Sequence, residues 1–120
     1  MTARDHALDL SRVGHAVLSG IYRLESPEAY DAAFASVAQA FATGTGPYTI
    51  DLRQVVLMNS SGIRALASLV QQARERKRQI VLLGRSAVPW QNKSIPSLAA
   101  LWDGVQAVLH EEAARDNGRI

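Results

Sequence analysis

Tyr48-Thr49-Ile50-Asp51-Leu52, followed after a short connection by Asn59-Ser60-Ser61-Gly62-Ile63, is the stretch on which the reading of this chain turns. Residues 48–52 read as an apolar strand, and residues 53–58 read as its connection to a helix. That helix is expected over residues 62–78, because Ile63, Leu66, Ala67, Leu69, Val70 and Ala73 recur at helical spacing. Arg64, Ser68, Gln71 and Gln72 fall on its other faces. Residues 79–83 then form an apolar run ending at Gly84, the pattern of a strand covered on both faces. Strand, helix and strand in this order predict a βαβ unit with parallel strands and a right-handed crossover. At its centre, Asn59, Ser60 and Ser61 place three side-chain oxygens where a helix leaves its first N–H groups without partners. Ser60 is read as the cap, which leaves Ser61 as the acceptor for a partner or a modifying enzyme.

Outward from this unit, Ser26-Pro27-Glu28 supplies a capping hydroxyl, a proline at the first helical position and an acid near the positive end of a helix dipole. Tyr30, Phe34, Val37 and Phe41 follow as one apolar stripe, and Thr43-Gly44-Thr45-Gly46-Pro47 reads as the loop that ends the helix. Residues 7–24 read as one strand, or as a hairpin turning at Gly14. Residues 85–93 read as a loop containing Pro89 and Trp90, after which Ser94 caps a short helix through Leu98, Leu101 and Trp102 that Gly104 ends. Residues 105–109 are the expected last strand, and residues 111–120 a polar tail. The expected architecture is one α/β domain over residues 1–120, with a mixed sheet of four or five strands and helices mainly against one face.

Composition narrows the function classes. An apolar share of 48% with 20% charged residues is that of a globular protein, and 13 basic against 11 acidic residues give an excess too small to imply nucleic acid. No cysteine is present, so disulfides, thiolate metal sites and cysteine nucleophiles are excluded. His6, His15 and His110 share no metal-like spacing, and no metal or cofactor is expected. The N-terminal residues carry no apolar signal core and no run is long enough to cross a bilayer, so the expected location is cytoplasmic, with no membrane contact. Catalysis is not expected: Ser61 lacks the Gly-x-Ser-x-Gly setting, and Gly44-Thr45-Gly46-Pro47 precedes a strand and lacks the Lys-Ser/Thr pair of a phosphate cradle.

With Asp51-Leu52-Arg53 followed by Asn59-Ser60-Ser61-Gly62-Ile63, an amphipathic helix and an apolar strand, the chain resembles the STAS domains, the family that includes the bacterial anti-sigma-factor antagonists. The family pattern is a strand ending in Asp-Leu, then Asp-Ser-Ser-Gly at a helix start. In the regulatory branch the serine directly before the glycine is phosphorylated by a partner kinase that doubles as an anti-sigma factor, and that position here is Ser61. The resemblance therefore implies docking on a serine kinase of the anti-sigma type, with phosphorylation of Ser61, or less readily Ser60, as the switch. One residue departs from the pattern: the opening acid is Asn59, which keeps a capping oxygen and loses the charge. From Pro89-Trp90-Gln91 to Leu101 the chain also resembles a divergent bacterial subgroup of STAS-related regulators.

The docking surface expected from this resemblance comprises Asn59, Ser60, Ser61, Gly62, Arg64, Ser68, Gln71 and Gln72, with Arg64 or Arg53 near enough to tolerate a phosphate. A dianion on Ser61 would leave the fold intact and repel a partner by surface charge. Two alternatives stay open: a signalling adaptor without phosphorylation, and a small-molecule or nucleotide-sensing STAS module. Arg74-Glu75-Arg76-Lys77-Arg78 is read as complementing the negative end of the helix, and Trp90 as either a partner anchor or the edge of the core.

Overall fold

The computed structural model describes residues 6–111. Strand β1 is Ala7–Asp9 and β2 is His15–Tyr22; helix α1 is Pro27–Ala40; β3 is Tyr48–Met58; α2 is Ser60–Glu75; β4 is Ile80–Arg85; α3 is Pro89–Ala99; β5 is Val105–His110. The sheet order is β1-β2-β3-β4-β5, antiparallel between β1 and β2 and parallel at the other three junctions. The first of the two N-terminal readings, a single strand, gives way to the hairpin, with Gly14 at φ 78° in its turn. The C-terminal tail from residue 112 onward lies outside the described residues.

Register aligns the core. Ala16 faces Ile50, Ile50 faces Leu82, and Ile80 faces both Tyr48 and Val105, all buried on one face of the sheet. The helices contribute Tyr30, Phe34, Val37, Leu66, Leu69, Val70, Ala73, Ile95 and Leu98 to the same cluster. Strand β4 is buried at Ile80, Leu82 and Gly84 and half-buried between them, so the expectation of cover on both faces is not met. Its uninterrupted apolar run reflects a central strand, since Val81 and Leu83 shelter among strand neighbours rather than under a second layer of described helices.

Residues 53–58 are strand, not connection. Two register shifts against β2, between Val17 and Ser19 and between Gly20 and Ile21, each put an extra residue into β3. A bulge turns the next side chain to the opposite face. The core residues of β3 therefore pass from Ile50 and Leu52 to Val55 and Met58, a spacing of three that carries no strand signature in the sequence. The same shifts leave Val56 and Leu57 exposed near the far end of the strand.

Helix α3 begins at Pro89, five residues before the expected cap, and Ser94 lies inside it. Its first turn is held from the core side. The Gln91 amide, fully buried, donates from Nε2 to the carbonyls of Leu52 (2.7 Å) and Val55 (2.8 Å) and accepts from the Arg85 N–H (2.7 Å). Trp90 Nε1 adds a bond to the Val55 carbonyl (3.0 Å), which settles Trp90 as an edge of the core. β4 pairs with β3 only from Tyr48 to Asp51, so Gln91 and Trp90 supply donors where the ladder stops.

Candidate functional site

The far end of β3 delivers the chain through Met58 into α2. Asn59, not Ser60, is the N-cap: its backbone is extended and its Oδ1 accepts from the Gly62 N–H at 3.0 Å. The amide does more than cap. Its Oδ1 also accepts from the Tyr30 hydroxyl (2.7 Å), and its Nδ2 donates to the Leu24 carbonyl (3.1 Å) in the connection between β2 and α1. Tyr30 Oη accepts in turn from the Leu24 N–H at 3.3 Å. Burial raises the Tyr30 hydroxyl above its ordinary pKa, against a smaller lowering by the Leu24 N–H, so it remains a neutral donor.

Because Asn59 caps, both serines are released from that duty. Ser60 is exposed and Ser61 half-buried in the first turn of α2, and among the described residues neither hydroxyl has a hydrogen-bond partner. No acid stands in this first turn. Gly62 is required for packing rather than for backbone freedom: a Cβ there would lie 2.5 Å from Met58 Cγ and 2.8 Å from Tyr30 Oη.

At 100° per residue, Ser61, Arg64, Ser68, Gln71 and Gln72 share an arc of about 100° on α2. Arg64, Ser68 and Gln71 are exposed and Gln72 is half-buried, donating to Ser68 Oγ at 3.3 Å. Ser68 and Gln72 also border a groove between α1 and α2 with Asp31, Ala35 and Gln39 on its far side. Ser61, Arg64, Ser68, Gln71 and Gln72 are thus brought together on one stripe, with Ser60 exposed at its edge, whereas Gly62, expected on the same surface, is buried against Met58 and Tyr30 because the helix start packs there. Arg53 is not part of it. Its guanidinium binds Asp51 through Nε (2.9 Å) and Nη2 (2.7 Å), which leaves Arg64 as the stripe's own cation.

Asp51 occupies the face of the sheet opposite the helices, in register with Val17 and Leu83, and is only 5% exposed. Burial works to raise its pKa; the Arg53 side-chain bond, the Arg53 N–H and the charges of Arg53 and His110 outweigh it, so the carboxyl sits below its ordinary value. The Asp-Leu-Arg signature therefore serves the sheet and not the helix start.

Arg78 corrects the reading of the basic run. It is buried at 8% exposure, with Nε donating to the Gly46 carbonyl (2.6 Å) and Nη1 to the carbonyls of Ala40, Phe41 and Thr43. It closes the C-terminal end of α1 and the following loop rather than complementing α2. The loop after α1 thus turns the Thr43 and Gly46 carbonyls toward a cation. It borders a cleft with Arg76 and Lys77 at the start of β3, the end opposite the serines.

Tyr30, Leu24, Gln91 and Arg78 carry no sequence signal for the bonds they make in this architecture. Tyr30 and Gln91 sit at positions where a stripe residue and a loop polar residue raise no signal, and only their partners across 29 to 39 residues reveal them. Among the described residues, no three His, Cys, Asp or Glu side chains group to hold a metal, and no helix is long and apolar enough to cross a membrane.

The chain belongs to the STAS family: the family model described as "Mlab, STAS domain" matches residues 18–95, and the five-stranded mixed sheet accords with it. Solved structures share the fold. A chain of the Pseudomonas aeruginosa complex of the diguanylate cyclase SiaD with its activator SiaC matches at a TM-score of 0.56 and 20% identity, over 90% of this chain and 96% of that one. The phosphorylated form of the Bacillus cell-fate determinant SpoIIAA matches at 0.55 and 16%, over 96% and 100% of the two chains. Unphosphorylated SpoIIAA, an anti-sigma-factor antagonist, matches at 0.55 and 17%, over 97% and 99%. No curated protein matches the sequence.

Proposed function

We propose that this chain is a small cytoplasmic regulator that binds a protein partner through the start of α2. Ser60 and Ser61 form the centre of the docking surface beside the capping Asn59, Arg64, Ser68, Gln71 and Gln72 extend it along the helix, and the buried Gly62 seats the turn beneath them. The partner is a serine kinase of the anti-sigma type, and phosphorylation of Ser61, with Ser60 as the lesser site, releases it. The observation that carries this reading is the cap: Asn59 takes the Gly62 N–H, so both serine hydroxyls stand at the helix start without a structural task. A phosphate on Ser61 would lie beside unpaired N–H groups and one turn from Arg64, which stabilise it, while its hydration and charge oppose a docked partner. SpoIIAA, which shares the fold, has been solved with and without phosphate, and SiaC is the activator of a cyclase; both support regulation by protein contact.

The test is intact-protein mass spectrometry with site mapping on material from the native host, before and after phosphatase. Phosphate on Ser61 supports the switch. Its absence under several growth conditions overturns the switch and favours an adaptor that binds through the same stripe without modification. A specific feature favours that second reading: the family's opening acid is here a neutral amide, bonded to Leu24.

A further inference from the structure

The departure from the family pattern at position 59 has a local reason. Leu24 has both backbone groups held by side chains from other elements: its N–H by Tyr30 Oη and its carbonyl by Asn59 Nδ2. Asn59 Oδ1 meanwhile takes two donors, Gly62 N–H and Tyr30 O–H. Only an amide of this length accepts twice and donates once at this place. An aspartate would keep the cap and the tyrosine bond but set a carboxylate oxygen against the Leu24 carbonyl. The start of α2 and the connection between β2 and α1 are therefore one hydrogen-bonded unit, closed through Tyr30, which is itself fixed on α1 by packing against Phe34.

We propose that Asn59 is a relay: a negative group on residue 61 competes for the Gly62 N–H, loosens the Asn59 amide and is felt at Leu24, so the β2–α1 connection reports the state of the serine. This rests on the Ser61 reading above and extends it, since the partner-facing surface then includes Arg23 and Glu25, both exposed beside Leu24. An anion at the second helical position has this effect because it draws on the first-turn N–H groups, and the Gly62 N–H, divided between Asn59 Oδ1 and the Asn59 carbonyl at 3.0 Å each, is the one it can take from the cap.

Site-resolved amide hydrogen exchange on the full chain tests the relay, with the Ile50 amide of β3 as an internal gauge of global opening. Tyr30→Phe and Asn59→Asp are expected to speed exchange at Leu24 by about tenfold, the cost of one lost bond, while Ile50 changes by less than roughly threefold. In Asn59→Asp the Gly62 amide is expected to stay protected, since the cap survives. Ser61→Glu is expected to speed Leu24 likewise, and to add nothing in the Tyr30→Phe background. Leu24 exchange that is unchanged in these variants, or that rises only in step with Ile50, overturns the relay. That result is distinguishable from failure of the phosphoswitch, which is read by phosphate mapping on the unmutated protein and not by exchange.

Discussion

Replacing Gln91 by methionine tests whether the far half of β3, which carries the chain into the serine pair, is held by one buried amide. The side chains are close in length, so the change removes hydrogen bonds with little change in volume. In Gln91→Met the Arg85 N–H loses the Oε1 acceptor and the Leu52 carbonyl loses its Nε2 donor, whereas the Val55 carbonyl keeps Trp90 Nε1. At the buried Leu52 carbonyl the lost bond costs about 1–3 kcal/mol, and at the half-buried Arg85 N–H the lost bond costs about 1 kcal/mol. Burying a thioether in place of an amide returns about 1 kcal/mol, leaving a net loss of about 2 kcal/mol. For a domain of this size that lowers Tm by about 7 °C. Urea denaturation should show the midpoint falling with the m-value unchanged, because the surface exposed on unfolding is the same. Gln91→Glu adds a sign. Its Oε1 can still accept from Arg85, but an ionised carboxylate would face the Leu52 and Val55 carbonyls, so burial raises its folded pKa above the unfolded value of about 4.3. Its stability relative to the unmutated chain is therefore highest below about pH 4 and is lost as pH rises through the folded pKa. A loss under about 1 kcal/mol in Gln91→Met, or a pH-independent deficit in Gln91→Glu, would refute the assignment.

Other substitutions probe neighbouring parts of the same frame. Asp51 has its pKa lowered in the folded chain, so its contribution is present above the unfolded value of about 3.9 and is lost as pH falls through the folded one; Asp51→Asn should flatten the acid limb of the stability profile, and an unaltered limb would count against the Arg53 pairing. Gly62→Ala should destabilise by about 1–3 kcal/mol despite the better helix propensity of alanine, because its Cβ meets Met58 and Tyr30; a stabilised variant in a thermal melt would show that this contact yields freely. Lys77 closes α2 at φ 57°, with the Arg78 N–H returning to the Ala73 carbonyl at 2.8 Å. Lys77→Gly relieves about 1 kcal/mol of left-handed strain against a partly offsetting gain in unfolded-state entropy, so a small rise in Tm is expected, and a fall would contradict it.

Local chemistry and its order along the chain are legible without the fold. Helical spacing from Ile63 to Ala73 and from Tyr30 to Phe41 named the buried faces, Ser26-Pro27 named the start of α1, and strand–helix–strand order gave the parallel unit and, with it, the STAS resemblance. These are signals within one or two turns of chain, where periodicity and capping act without help from elsewhere. Tertiary structure decided the rest. The bulges that make residues 53–58 a strand exist because β2 pairs alongside, and the period-three burial of Leu52, Val55 and Met58 is unreadable without that partner. Asn59 won the cap from Ser60 because its amide also reaches Leu24 and Tyr30, bonds that span 35 and 29 residues. Gln91 and Arg78 look like surface residues until the carbonyls they satisfy are brought to them from β3 and from the end of α1. A buried polar side chain is defined by its partners, and those partners are assembled only when the chain folds.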